Sequence, residues 1–134
     1  MNARYGELCA GVGGLGLAVG SLTDIDHVWH AETDEAASTV LAAHWPGTPN
    51  LGDITAVDWS RVEPVNILGA GFPCTPFSAA GRRGGSADDR HLWPHGVRPA
   101  IQALLPPLVV LENVPGLLTV EQGGGVRRRA RRPA

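Results

Sequence analysis

The sequence predicts an α/β fold, a parallel sheet with helices on both faces. Three observations predict it. Short apolar strand candidates alternate with helical stretches along the chain. The strands are apolar runs rather than strict alternations, as strands covered on both sides are. A glycine-rich turn joins the first strand to the first helix.

Tyr5 to Cys9 is the first strand candidate, ending in the turn Ala10-Gly11-Val12-Gly13-Gly14. Leu15 to Ser21 reads as a helix. His27 to Glu32 is the second strand, and Asp34 is placed to cap the helix Glu35 to His44, which Pro46 stops. Leu51 to Ile54 is a brief third strand, and Val65 to Ala70 a fourth, closed by Gly71 and Pro73. Pro73 to Asp89 is a long irregular stretch of the kind that tends to carry function. Leu92 to Leu105 reads as a helix with Pro94 in its first turn and a kink at Pro99, and Leu108 to Leu111 as a fully apolar fifth strand. The expected strand order is 3-2-1-4-5. Gln122 to Ala134 is a low-complexity Gly/Arg tail, expected to be disordered.

Charge is unevenly spread. Every basic residue is arginine, and up to Glu121 six arginines face thirteen acids, a net charge of −7. The last thirteen residues carry five arginines. The body thus lacks the basic footprint with which proteins hold a phosphate backbone. Two cysteines, Cys9 and Cys74, are too few for a secreted disulfide scaffold. The apolar run Leu8 to Leu22 is diluted by five glycines and is too short to span a bilayer. The chain reads as soluble and cytoplasmic, with no membrane partner. The two nearby histidines, His91 and His95, lack the further ligands a zinc site needs, so no metal is expected.

In a doubly wound sheet, ligands sit beyond the carboxyl ends of the strands. Those ends carry the glycine turn, Glu32, Asp53, Phe72-Pro73-Cys74 and Glu112-Asn113. On its own the turn is equally a tight strand–helix connection. With Glu32 placed to hold ribose hydroxyls and Asp53 suited to an exocyclic amine, a nucleoside-containing ligand is the better reading. Cys74, flanked by Pro73 and Pro76, projects from a strand end and can act as a nucleophile if its pKa is lowered. Cys9, inside the first strand, reads as structural. Glu112 follows LVVL at a buried strand end, where desolvation suits a carboxyl to proton donation, although an acid favoured by a helix N-terminus fits as well.

ELCAGVGGLGLAV (Glu7 to Val19), the segments around Glu32 and Asp53, GFPCTPFSAAGRRGG (Gly71 to Gly85), DRHLW (Asp89 to Trp93) and LENVPGLL (Leu111 to Leu118) resemble, in order, the N-terminal motifs of the cytosine-5 DNA methyltransferases. The FPC…FS and ENV segments are specific; the glycine turn is not. The resemblance implies a Rossmann-like S-adenosylmethionine-dependent fold, incomplete at its C-terminus. Residues 1–119 would be the N-terminal part of the catalytic domain and 120–134 a tail. It implies S-adenosylmethionine as cofactor, held by Ala10, Gly11, Gly13, Gly14, Glu32, Asp53 and Ile54. It implies Cys74 as the nucleophile on C6 of a flipped cytosine, Glu112 at the N3 side of the ring, and Asn113 and Pro73 shaping the pocket. Thr75 stands where the family commonly has glutamine. Nothing after Leu118 matches the family's arginine motif, recognition domain or closing helix. DNA is therefore the expected partner once a complementing chain supplies the second half, and the isolated chain is expected to be inactive. A truncated remnant, or a module that binds the cofactor without turnover, is the competing reading; an unrelated nucleotide-binding α/β protein is the third.

Overall fold

The computed structural model describes residues 1–72 and 92–113. The chain divides into two compact units, and all the elements below belong to the first, Met1–Phe72 with Trp93–Glu112. The second comprises Pro73–Leu92 and Asn113–Ala134.

The elements run β1 (Ala3–Leu8), α1 (Gly14–Gly20), β2 (Ile25–Ala31), α2 (Glu35–His44), a 3₁₀ turn (Trp59–Arg61), β3 (Ile67–Ala70), a π turn (Trp93–Val97), α3 (Arg98–Leu104) and β4 (Leu108–Leu111). All pairings are parallel, in the order β2-β1-β3-β4. This is the α/β, Rossmann-like arrangement, and its order matches the expected one at every strand that forms.

The predicted third strand, Leu51–Ile54, does not form. Only an isolated parallel bridge, His30 to Asn50, marks its place beside β2. Gly52 turns left-handed at φ 71°, and Asp53 bends into a turn on Thr55, so the extended backbone ends before a ladder can build. The helix expected over Leu92–Leu105 is also divided. Pro99 has no N–H to donate, and its ring would clash with the carbonyl four residues back. The preceding residues open into the wider π turn, and Pro99 falls in the first turn of α3, where a missing N–H costs nothing. Leu105 closes α3 in a left-handed conformation, its N–H bonded to Ile101 O.

Asp34 caps α2 as expected, its Oδ1 accepting the Ala37 N–H at 2.8 Å. Cys9 lies one residue past β1, with φ 52°, and is not inside the strand. Leu108 and Leu111 of β4 are exposed, and among the described residues β4 pairs with β3 alone. The core has two sides. Tyr5, Val19 and Ile67 pack together under α1. Trp29 lies on the other side, against Trp59, with its Nε1–H donated to Glu63 O at 2.9 Å. Among the described residues no helix is long and apolar enough to cross a membrane.

Candidate functional site at the carboxyl edge of the sheet

Parallel register aligns the strand ends. Leu8 is level with Ala31 and Ala70, and Ala70 with Leu111. The residues that follow are therefore neighbours. Ala10 N–H bonds Ala31 O at 3.1 Å, Gly71 N–H bonds Leu8 O at 3.3 Å, and Glu112 N–H bonds Ala70 O at 3.0 Å. One edge thus gathers the glycine turn, Glu32, Gly71 and Glu112.

The turn needs its glycines. Gly11 and Gly13 have φ 56° and 86°, a region that costs side-chain-bearing residues strain. The two differ in surroundings. A Cβ on Gly13 would run into the Trp45 ring, whereas nothing lies within 4 Å of where a Cβ on Gly11 or Gly14 would stand. Gly13 is glycine to let α2's end pack closely. Gly11 and Gly14 border open space, which is what close approach of a ligand to backbone requires. Ala10 is buried, and its carbonyl accepts the Gly13 N–H at 2.9 Å, closing the turn.

Glu32 bonds both to the turn and to its own strand's exit. Its Oε2 accepts the Gly11 N–H at 2.6 Å and its Oε1 the Asp34 N–H at 2.8 Å. Each carboxylate oxygen keeps a second lone pair for a hydroxyl. Asp53 is exposed, and the Thr55 N–H and hydroxyl that bond its Oδ1, at 2.9 and 2.8 Å, hold its pKa below the usual carboxylate value. Ile54, by contrast, is buried against the π turn, where its side chain occupies the space a Cβ on Gly96 would take. Burial raises the Cys9 thiol to about 12, with Glu32 and then Asp53 adding to the rise, which places both acids within electrostatic reach of one sulfur.

Glu112 departs from expectation: its side chain is exposed and not at a buried end, since among the described residues β4 is the last strand of the sheet. Its Oε2 lies 3.4 Å from where a Cβ on Gly71 would stand, so it borders the start of the segment leading to Cys74. Asn113 follows it. Cys74 and Pro73 lie outside the described residues.

Sequence reasoning missed a buried polar group beneath the turn. Glu7 and His30 are buried, at 1% and 2% exposure, and His27 sits between Tyr5 and His30 with ring centroids 5.2 and 5.4 Å away. Burial pushes Glu7 up to about 7; the Tyr5 hydroxyl and the Gly16 backbone pull the other way, and Glu112 adds to the rise. The Tyr5 hydroxyl and Glu7 Oε2 nevertheless lack hydrogen bonds of full geometry. Burial likewise lowers His27 to about 4, and His30 is lowered too. The available signal was an acid inside a central strand, two residues after Tyr5 on the same face. Asn50, which holds the Glu32 backbone, was missed because it fell outside any motif. Among the described residues no group of three His, Cys, Asp or Glu side chains is placed to hold a metal.

Comparison with known proteins places this edge in context. The profile of the C-5 cytosine-specific DNA methylases matches residues 3–129. The type II methyltransferase M.NlaX of Neisseria lactamica is 36% identical over 118 residues, covering 87% of this chain and 38% of that protein. M.BsuFI of Bacillus subtilis is 35% identical over 121 residues, covering 90% of this chain and 29% of that one. A solved structure of a prophage-encoded E. coli protein, described as a DNA modification methyltransferase, superposes with TM-score 0.72 at 26% identity, over 96% of this chain and 36% of that chain. S. pombe Dnmt2 superposes at TM-score 0.63 and 20% identity, over 95% and 41%, a likeness of fold. The chain spans well under half the length of each of these relatives.

Proposed function

The chain belongs to the C-5 cytosine-specific DNA methylase family, and from that premise we propose that it is the cofactor-binding and nucleophile-bearing part of a DNA cytosine-5 methyltransferase. The observation that carries the reading is the shared edge, where the parallel register sets the glycine turn, Glu32, Gly71 and Glu112 side by side.

The residues fit S-adenosylmethionine. Gly11 and Gly14 border open space, and Glu32 retains lone pairs for two ribose hydroxyls. Asp53 is exposed and held ionised by Thr55, which suits it to accept from an adenine amine. Ala10 and Gly13 shape the turn, and Ile54 backs the site from the core. When bound, the cofactor supplies the methyl group that C5 of cytosine accepts.

Cys74 is the nucleophile in this reading. As a thiolate it adds to C6 of a cytosine extruded from the duplex, which makes C5 nucleophilic; loss of the C5 proton then expels the sulfur. Glu112 holds the N3 side of the ring, and Pro73 and Asn113 bound the pocket. Residues 1–119 form this part of the domain and 120–134 a tail outside it. The substrate is DNA and the compartment the cytoplasm.

The second reading, a module that binds cofactor without turnover, is favoured by the net-acidic body, which lacks a basic footprint for the phosphate backbone. Tritiated methyl transfer to mixed-sequence DNA separates the two. The chain alone is expected to give none. Supplied with the C-terminal part of a relative, it gives incorporation that Cys74→Ser abolishes. Incorporation that survives Cys74→Ser overturns the mechanism. Calorimetry tests the cofactor site: Glu32→Ala is expected to cost about 1.5–3 kcal/mol for each charge-assisted bond lost, and unchanged binding removes the ribose role.

A further inference from the structure

Asn50 stands where the predicted third strand should pair with β2, and its side chain takes over what a strand's backbone would do. Its Oδ1 accepts the Glu32 N–H at 3.0 Å, and its Nδ2 donates to Glu32 O at 3.1 Å. The same Oδ1 accepts the Gly52 N–H at 3.0 Å, and the same Nδ2 donates to Ser38 Oγ at 3.1 Å. A primary amide has two donor hydrogens and two acceptor lone pairs. All four are used, on three different segments, by a residue that is itself exposed.

The bonds converge on one residue. Asn50 grips both backbone polar groups of Glu32, while the Glu32 carboxylate spans the Gly11 and Asp34 N–H groups. The main chain of Glu32 has left β2, which ends at Ala31, so no ladder fixes it there. Without Asn50 the Glu32 N–H loses its partner, and its carbonyl keeps only the Ser38 hydroxyl at 3.4 Å.

We propose that Asn50 is a positioning residue for nucleoside recognition: by clamping the Glu32 backbone it aims the Glu32 carboxylate at the glycine turn and at the ribose. The recognition half of this statement rests on the cofactor reading above; the clamp does not.

The test uses the full 134-residue chain, comparing it with Asn50→Ala, Asn50→Asp, Glu32→Ala and the Asn50→Ala/Glu32→Ala double variant. Amide exchange followed by NMR reads the clamp without any ligand. In Glu32→Ala the Gly11 amide loses its acceptor and exchanges faster. Asn50→Ala is expected to speed Gly11 exchange by about three- to tenfold, the range one lost hydrogen bond gives, with the Leu8 amide in β1 unchanged. Asn50→Asp keeps the two accepted bonds and falls between. A Gly11 amide that Glu32→Ala speeds and Asn50→Ala does not, or one unprotected in the parent chain, overturns the proposal. Titration with S-adenosylmethionine reads the second half. Asn50→Ala is expected to weaken binding several-fold, with no further loss when added to Glu32→Ala. Additive losses show that Asn50 acts elsewhere and overturn it. Binding unchanged in Glu32→Ala instead defeats the ribose assignment, and the Gly11 result still decides the clamp.

Discussion

Tyr5 and Glu7 leave one face of β1, towards α1 and His27, while Gly6 and Leu8 leave the other, towards Trp29. Both faces are buried, yet they are built of different material. Behind Gly6 lies the Trp29 ring, seated so closely that a Cβ on Gly6 would enter it. Trp29, Leu8, Leu68 and Ala70 are at most 1% exposed, and the one polar atom of Trp29 is bonded. Around Glu7 lie Tyr5 and two histidines, with Tyr5 and Glu7 oxygens and imidazole nitrogens short of partners. Apolar burial stabilises in proportion to area, whereas burying a titratable group costs free energy that depends on pH. One strand therefore carries a constant contribution on one side and an adjustable one on the other.

Truncation on the apolar side tests this contrast most severely. Trp29→Ala leaves a cavity between β1 and Trp59 and is expected to cost about 3–5 kcal/mol, read as a drop in the urea midpoint, relative to the parent, of the same size at pH 6 and pH 8. A loss that changes with pH would mean the two faces are not separable.

On the polar side the expected effect is smaller and has a sign set by pH. Glu7 has a folded pKa of about 7 against an ordinary value of 4.5, so the folded chain holds the proton more tightly. Its contribution is fully present below 4.5 and is lost as pH rises through 7, by on the order of 3 kcal/mol. His27 acts oppositely: lowered to about 4 from 6.5, it favours folding increasingly as pH rises from 4 to 6.5. His30 shifts in the same direction as His27. Between pH 4.5 and 7 the loss from Glu7 therefore opposes the gain from the histidines, and Glu7→Gln should give a thermal midpoint that rises more steeply with pH across that window than the parent's; equal slopes show that another group is responsible. Least affected should be Val19→Ala, at the polar side's apolar margin, where two lost methyl equivalents cost roughly 1–2 kcal/mol; a loss matching Trp29→Ala would erase the distinction between the faces.

What the sequence disclosed follows the same division between local and long-range causes. Asp34 before the helix and Pro46 after it are local signals, and α2 runs Glu35–His44 as read. The strand ends were equally legible, since apolar runs followed by Gly11, Glu32 and Glu112 need no knowledge of partners. Whether Leu51–Ile54 would pair was not legible, because the outcome turns on Gly52 going left-handed and on an amide reaching across to Glu32. The exposure of Glu112 was not legible for a related reason: LVVL reads as covered, but coverage depends on what packs beside β4, which among the described residues has β3 as its one partner strand. The assignments of Cys74 and Pro73 rest on the motif, outside the described residues.

Cys9 carries a practical consequence for chemical labelling. Alkylating reagents attack thiolates, and a thiol raised to about 12 from 9.0 offers roughly a thousandfold fewer of them than an ordinary cysteine at neutral pH. The sequence holds two cysteines, so a single label taken up at neutral pH by the folded chain is assigned to Cys74 without mutating Cys9 away. Cysteine mapping of the proposed nucleophile can thus be done on the unaltered sequence, with Cys9 as a built-in gauge of folding: its appearance among the labelled peptides reports that the turn above it has opened.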